Sequence, residues 1–227
     1  TNLVTNPSFE TGTTGWTWTD SNASGSTPAT TNTYGYYHTG SAALRLSNTA
    51  AGEADYMSVN IGSLSASTAY TISAWCRVVS FTAGATSNRG LTAYDTADVA
   101  GTLRTTTITA ATDDWVRHVV TVTTTAAGGA HTIQIRLYAP QGYVLWDSVQ
   151  CEALPYASPY CDGSLPGYSS AGVWLDAGNA GGGHAWTGTA HASTSSRAEG
   201  VVYYPTAGNV NPNVGTIMAW VNPAGLT

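Results

Sequence analysis

The feature that most constrains this chain is a period-two alternation of apolar and polar residues, interrupted by turn residues every ten or so positions. Alternating runs cover residues 2–10, 15–19, 42–47, 56–61, 69–80, 90–95, 102–108, 115–125, 131–139 and 143–152. Successive side chains of a strand point to opposite faces, so each run can bury one face and wet the other. Between the runs stand Thr-Ala-Gly-Ala at 82–85, Thr-Asp-Asp at 112–114, Ala-Gly-Gly-Ala at 127–130 and Pro-Gln-Gly at 140–142. Gly, Pro, Asn and Asp favour tight turns. Many short strands at this spacing predict an all-β sandwich or barrel.

The composition fits. Thr (36) and Ser (21) dominate, which alone would suit a disordered chain; 42% hydrophobic and 10% aromatic residues can nevertheless fill a core. Thr, Val, Ile, Tyr and Trp favour strands. Ala is plentiful but never falls into a helical stripe. At 227 residues the chain is long enough for one large domain, or one domain and a fragment.

Charge excludes whole classes of partner. Lysine is absent, and seven Arg face 13 acids for a net charge of -6. A duplex nucleic-acid binder needs a basic face, so no nucleic-acid partner is expected. No run of about 18 apolar residues could form a membrane-spanning helix, and no membrane partner is expected. Residues 1–10 lack the basic flank and apolar segment of a signal peptide. The expectation is a processed protein, or one released by lysis or assembly.

The alternation assigns faces. In residues 70–78, Tyr70, Ile72, Ala74, Cys76 and Val78 share the core side, leaving Thr71, Ser73, Trp75 and Arg77 where a sheet should meet water. Ile133, Ile135 and Leu137 point in; Thr132, Gln134, Arg136 and Tyr138 point out. Met57, Val59 and Ile61 go in against Tyr56, Ser58 and Asn60 out, and Leu91 and Ala93 in against Thr92 and Tyr94 out. If these strands share one sheet, its outer face is both aromatic and hydrogen-bonding. Such a face suits sugars, whose rings present apolar C–H patches and a rim of hydroxyls. Trp and Tyr supply flat area at low entropy cost, and Arg, Gln and Asn supply donors and acceptors. The candidate carbohydrate-binding set is Tyr56, Trp75, Arg77, Gln134, Arg136 and Tyr138. The bland alternative is that Trp75, Tyr94 and Tyr138 are capped by loops. Trp16, Trp115 and Trp146 fall at strand ends and read as core or edge packing.

Catalytic patterns are thin. Hydrolysis of a glycosidic bond needs paired carboxylates, and acyl transfer needs a nucleophile with a base. The outward faces hold no Asp or Glu pair. Asp113 and Asp114 lie in a turn; Glu53 and Asp55 flank a strand start; His184 and His191 have no acidic partner nearby in sequence. The chain is therefore read as not an enzyme. Cys76, Cys151 and Cys161 make no disulfide framework or zinc spacing. Cys151 and Cys161 could close a short loop, or all three are free, partly buried thiols.

After residue 153 the pattern changes. Residues 154–200 are rich in Gly and Pro and read as a connector ordered by packing on a neighbour, and residues 201–227 carry two strand-like runs that read as the incomplete start of a second β-sandwich. Two strands alone do not make a stable unit.

The opening Asn2-Leu-Val-Thr-Asn-Pro-Ser-Phe-Glu10, with Gly12 and Gly15-Trp16 after it, resembles the start of jelly-roll carbohydrate-binding modules of the family four, nine and twenty-two group. Residues 38–46 (HTGSAALRL), 67–75 (STAYTISAW) and 143–149 (YVLWDSV) fit the same pattern in order, so the resemblance spans residues 1–152. It implies a two-sheet jelly roll that binds polysaccharide, and a structural calcium. The Glu of the opening motif and the Asp of the closing motif would share the ion: here Glu10 and Asp147, with Gly12 and Ser41 of the 39–41 loop as candidate carbonyl donors. Six to eight oxygens, including carboxylates, are what calcium takes. Residues 184–197 resemble segments of bacteriophage minor tail proteins that follow such modules and precede laminin-G-like or concanavalin-like sandwiches, and residues 215–223 look like an early strand of that second sandwich. The expectation is a non-catalytic polysaccharide-binding module of a larger chain or assembly, extracellular or virion-associated. The alternative is a structural or adhesive module of a phage tail or secreted multi-module protein.

Overall fold

A computed structural model describes residues 1–20, 28–49, 55–82, 89–95, 104–126, 130–164, 167–168, 174–175 and 184–197. Glu53, the Gly181-Gly182-Gly183 run and the strand-like runs after residue 200 lie outside these residues. Ten strands build the body: β1 (Thr17–Thr19), β2 (Ala29–Thr31), β3 (Ala43–Asn48), β4 (Tyr56–Leu64), β5 (Ala69–Phe81), β6 (Arg89–Asp95), β7 (Arg104–Thr107), β8 (Val116–Thr123), β9 (His131–Tyr138) and β10 (Gly142–Glu152). They form two five-stranded sheets, in order β1-β4-β9-β6-β7 and β2-β3-β10-β5-β8. Every pairing is antiparallel. The fold is an all-β jelly-roll sandwich. The first sheet is called here the Tyr–Arg sheet, the second the loop-covered sheet.

The core lies between them and follows the alternation. Met57, Val59, Ile61, Leu91, Ala93, Ile133, Ile135 and Leu137 meet Leu44, Leu46, Tyr70, Ile72, Ala74, Cys76, Val78, Val120, Val122, Val144 and Trp146. Burying each large aliphatic side chain contributes about 1.5–3 kcal/mol, which fixes strand register. Trp16 and Trp146 belong to this core as expected; the Trp146 indole donates to the Tyr138 carbonyl at 3.0 Å. Cys76, Cys151 and Cys161 are free and buried, and burial pushes the Cys151 thiol up to about 12.

Three expectations need correction. Residues 2–10 form no strand. Asn6 and Phe9 take left-handed φ of 45° and 57°, and the segment folds into turns. The Asn6 side chain holds them: it donates to the Gly12 and Thr14 carbonyls at 2.9 and 3.1 Å and accepts from the Thr11 amide at 3.3 Å. Next, Thr71 and Ser73 do not meet water but are 1% exposed. Thr71 donates to the Leu154 carbonyl at 2.7 Å, and Arg117 bridges Ser73 and the Ser158 carbonyl at 2.9 and 2.6 Å. The Gly/Pro-rich segment therefore covers this half of β5. Third, the strands carrying the candidate sugar ligands do not share one sheet: β5, with Trp75 and Arg77, lies in the loop-covered sheet, and β4 and β9 lie in the other.

The segment after β10 is tied to the chain's start. Glu152 accepts from the Ser158 amide and hydroxyl at 2.8 and 2.6 Å, and Asp162 accepts from Ser8 Oγ at 2.9 Å. His184–Trp186 and Ser195–Arg197 form a small hairpin whose Ser195 exchanges backbone hydrogen bonds with Asn2 at 2.7 and 3.0 Å.

Burial lowers the pKa of His38, helped by the Arg117 charge, and burial alone lowers that of His118, which packs edge-on to Trp146 at 5.5 Å. Both are biased toward the neutral form in the fold. Their contribution to stability is present above the unfolded His value of about 6.5 and is lost as pH falls through the depressed folded values. Relative to His118→Gln, the wild type should lose melting temperature as pH drops from 7.5 to 5, a comparison in which the opposite contribution of the raised Asp147 carboxyl cancels.

Candidate functional site

The sandwich offers two outer faces, and they differ. On the loop-covered sheet, His38 stacks on Trp75 with ring centroids 4.2 Å apart and planes 17° apart, and meets Trp115 edge-on at 5.7 Å. Arg77 donates to the Gly35 carbonyl at 2.8 Å and lies over Tyr36, 5.8 Å from its centroid. Trp75 is therefore outside the core, as its phase requires, but the 34–39 loop caps it. Beyond it the loop presents Tyr34, 91% exposed.

The outer face of the Tyr–Arg sheet is different. Tyr56, Asn60, Gln134, Arg136 and Tyr138 come from β4 and β9, paired Tyr56 to Tyr138, Ser58 to Arg136 and Asn60 to Gln134. Tyr94 of β6 lies opposite Gln134 on the other side. The Arg136 guanidinium sits between two phenol rings, 4.5 Å from the Tyr56 centroid and 5.0 Å from that of Tyr94. Its Nε donates to Gln134 Oε1, its Nη2 to the Tyr94 phenol oxygen at 3.0 Å and its Nη1 to the Tyr138 phenol oxygen at 3.4 Å. Tyr94 donates to Gln134 at 2.9 Å, and Gln134 donates to Asn60 at 3.1 Å. Burial works against the Arg136 charge; the hydrogen bond to Tyr138 and the phenols of Tyr138, Tyr56 and Tyr94 outweigh it and hold its pKa above the ordinary value. Stacking plus a planar fork of donors fixes the guanidinium rigidly. Tyr138 is itself only 2% exposed, with the Tyr56 ring 5.0 Å away, and serves more as a floor than as a surface.

Of the six residues expected to converge, four do: Tyr56, Gln134, Arg136 and Tyr138. Trp75 and Arg77 face out from the opposite sheet. Sequence reasoning left Tyr94 among the ambiguous aromatics and missed Arg89, which reaches the same face to donate to the Tyr138 phenol oxygen at 3.3 Å. The position of Arg89 directly before an alternating run was the available signal.

The candidate metal residues meet at the 38–42 loop. Glu10 accepts from the Ser41 amide and hydroxyl at 2.8 and 2.6 Å and from the Ala42 amide at 3.0 Å. Asp147 is fully buried and accepts from the amides of His38, Thr39 and Ser148 at 2.7, 2.9 and 2.6 Å. Burial, with the Glu10 charge adding to it, pushes the Asp147 carboxyl up to about 8 despite those amides. Gly40, at φ 66°, leaves room that a Cβ would take from the Glu10 carboxylate. The Gly12 carbonyl is engaged by Asn6. No group of three or more His, Cys, Asp or Glu suited to a metal exists among the described residues. A cation here would rest on two carboxylates, with main-chain and hydroxyl oxygens completing its shell. A buried, charge-strained carboxylate beside a second one and a glycine cradle fits a hard divalent cation.

Hydrolytic groups do not assemble among the described residues. Asp55 is fully buried and does not line the open face. The His131–Asp95 pair, 2.9 Å apart, is sealed at the end of the core. His191 was expected to lack acids nearby, yet Glu10, Asp162 and Ser164 line a small cleft with it. Its Nε2 lies 3.4 Å from Ser164 Oγ, but its buried Nδ1 has no partner, so no carboxylate orients it as a base.

An aromatic and polar face on an all-β sandwich, with no acid–base pair on that face among the described residues, is the kind of surface a binding module presents. Residues 1–147 match the family model described as a carbohydrate binding domain, and the chain belongs to that family. Comparison with curated protein sequences finds no match. Among solved structures the chain is similar to TmCBM61 in complex with β-1,4-galactotriose (14% identity, 68% of this chain and 99% of that one, TM-score 0.49). It is also similar to the CBM22-1 xylan-binding domain of Paenibacillus barcinonensis Xyn10C (18% identity, 69% and 97%, TM-score 0.45). A third is the enzymatically active domain of bacteriophage CBA120 tailspike protein 4 (14% identity, 67% of this chain and 21% of that one, TM-score 0.49).

Proposed function

We propose that this chain is a non-catalytic module that binds polysaccharide on the outer face of the Tyr–Arg sheet, as part of a larger secreted or virion-borne assembly. The observation that carries this reading is the Arg136 cluster. Arg136, Gln134, Tyr94 and Asn60 bond one another on a sheet face, where a soluble sandwich gains nothing from aromatic surface unless a ligand covers it. Tyr56 and Tyr94 offer rings for sugar C–H faces, and Gln134, Asn60 and Arg136 offer groups for the hydroxyl rim. A structural calcium held by Glu10 and Asp147 belongs to the same reading. Its chemistry is charge compensation: it would join the opening turn, the 38–42 loop and β10.

Affinity electrophoresis against a panel of soluble polysaccharides tests the binding. At least one should retard the protein, and none should yield reducing ends. Tyr94→Ala should weaken that binding about tenfold, which corresponds to about 1.4 kcal/mol, the scale of an aromatic contact. If Trp75→Ala abolishes retardation and Tyr94→Ala does not, the binding face is the 34–39 loop side. Retardation by no polysaccharide would favour a structural or adhesive module whose aromatics contact protein.

A further inference from the structure

We infer that the polysaccharide recognised by the Tyr–Arg sheet carries carboxylate groups, as a uronic-acid glycan does, and that Arg89 and Arg136 select it. This rests on the sugar-binding reading and narrows it. Two guanidinium groups converge on one phenol oxygen: Arg89 Nη1 and Arg136 Nη1 lie 3.3 and 3.4 Å from that of Tyr138. The Arg89 guanidinium also sits over the Tyr138 ring, 5.6 Å from its centroid. Like charges this close repel unless an anion lies between or beside them. Yet neither arginine forms an ion pair among the described residues.

The arrangement is unusual for this chain, in which acids outnumber arginines by 13 to seven. The outward positions of the sheet are Thr17 and Thr19 on β1, Tyr56, Ser58 and Asn60 on β4, Thr132, Gln134, Arg136 and Tyr138 on β9, Thr92 and Tyr94 on β6 and Thr105 on β7. Thr132 apart, register places each of these opposite another of the set. No acid is among them. Of the acids that flank its strands, Asp55 and Asp95 are buried, and Asp20, directly after β1, is half-buried.

Arg136 spends one N–H from each nitrogen on the cluster, and Arg89 spends one on Tyr138, so N–H groups remain for a ligand. A guanidinium fork pairs with a planar carboxylate through two parallel hydrogen bonds, which sets it above a neutral hydroxyl as a target. The rings of Tyr56 and Tyr94 remain for the sugar C–H faces. The site thus reads a flat sugar ring and a carboxylate together.

Isothermal titration with soluble uronate oligosaccharides, their carboxyl-reduced counterparts and a sulfated glycan of equal length tests this. The uronate should bind at least about tenfold tighter than its carboxyl-reduced form, and its affinity should fall several-fold between low and high salt, as expected for an exposed charge pair. Arg89→Gln, at an exposed position outside the core, should reduce the preference several-fold while leaving the circular dichroism unchanged; Arg136→Gln should erase it. Equal binding of the uronate and its reduced form overturns the inference and leaves sugar binding standing. Binding of the sulfated glycan as tight as the uronate also overturns it, since the site would then be a general polyanion surface. Binding of no glycan overturns both readings.

Discussion

Asn2→Ala should cost the fold about 3–5 kcal/mol and lower its melting temperature by roughly 10 °C. The residue is fully buried at the chain's start. Its Nδ2 donates to the carbonyls of Val149 and Cys161, both at 3.0 Å, and its Oδ1 accepts from the amides of Val4 and Cys151 at 3.1 and 3.0 Å. One side chain thus satisfies backbone groups of the opening segment, β10 and the segment after it. Truncation removes the Asn2 partner from all four, and the Cys161 carbonyl keeps the Ser195 hydroxyl at 3.2 Å. An orphaned buried donor or acceptor costs about 1–3 kcal/mol, reduced wherever water enters the space the amide leaves. Asn2→Asp should also destabilise, because it keeps the acceptor but turns a carboxylate toward two carbonyl oxygens. Urea denaturation of the three proteins measures this. A loss below about 1 kcal/mol for Asn2→Ala would mean the segments are held by backbone bonds and apolar contacts alone.

The same residue shows where sequence reading stops. Asn2 opens the motif that carries the family resemblance, but no local pattern says that its partners lie in residues 149–161. Strand existence and phase were legible, because burial on one face forces alternation: Ile133, Ile135 and Leu137 are fully buried, as their phase predicts. Sheet membership was not, because it depends on which distant strands pair, and alternation is the same on either side of a sandwich. Trp75 and Tyr56 share a phase class yet point away from the molecule in opposite directions. Residues 71 and 73 look like surface positions for the same reason; only the fold brings Leu154 and Ser158 over them. Strand β2 was not foreseen, since Ala29–Thr31 is too short to show a period. On the outer face of the Tyr–Arg sheet, the outward phase supplied Tyr56, Gln134 and Arg136 as neighbours. Arg89 escaped because a register shift between Arg89 and Thr92 breaks the alternation that would have assigned its face.

Removing calcium should lower the melting temperature by about 5–10 °C, and Asp147→Ala should abolish that difference. The argument starts from the charge. Asp147 is fully buried, and without a cation its carboxyl sits at about 8, raised first by burial and further by Glu10. Three amide donors do not offset this, so without a cation the ionised form of Asp147 is disfavoured in the fold. A divalent cation shared with Glu10 would compensate both charges. Because the ion would bind only where the opening turn, the 38–42 loop and β10 meet, it stabilises the folded state alone. At a hundredfold excess over the dissociation constant the gain is about 2.7 kcal/mol, and in a domain of this size each kcal/mol moves the midpoint by roughly 2–4 °C. Gly40→Ala should reproduce much of the loss even with calcium present, since its Cβ would press on the Glu10 carboxylate. Calorimetric scans with calcium and with chelator, on wild type and both variants, decide it. Identical scans for the wild type in the two conditions would mean that the protein's own amide and hydroxyl donors are all that Glu10 and Asp147 hold.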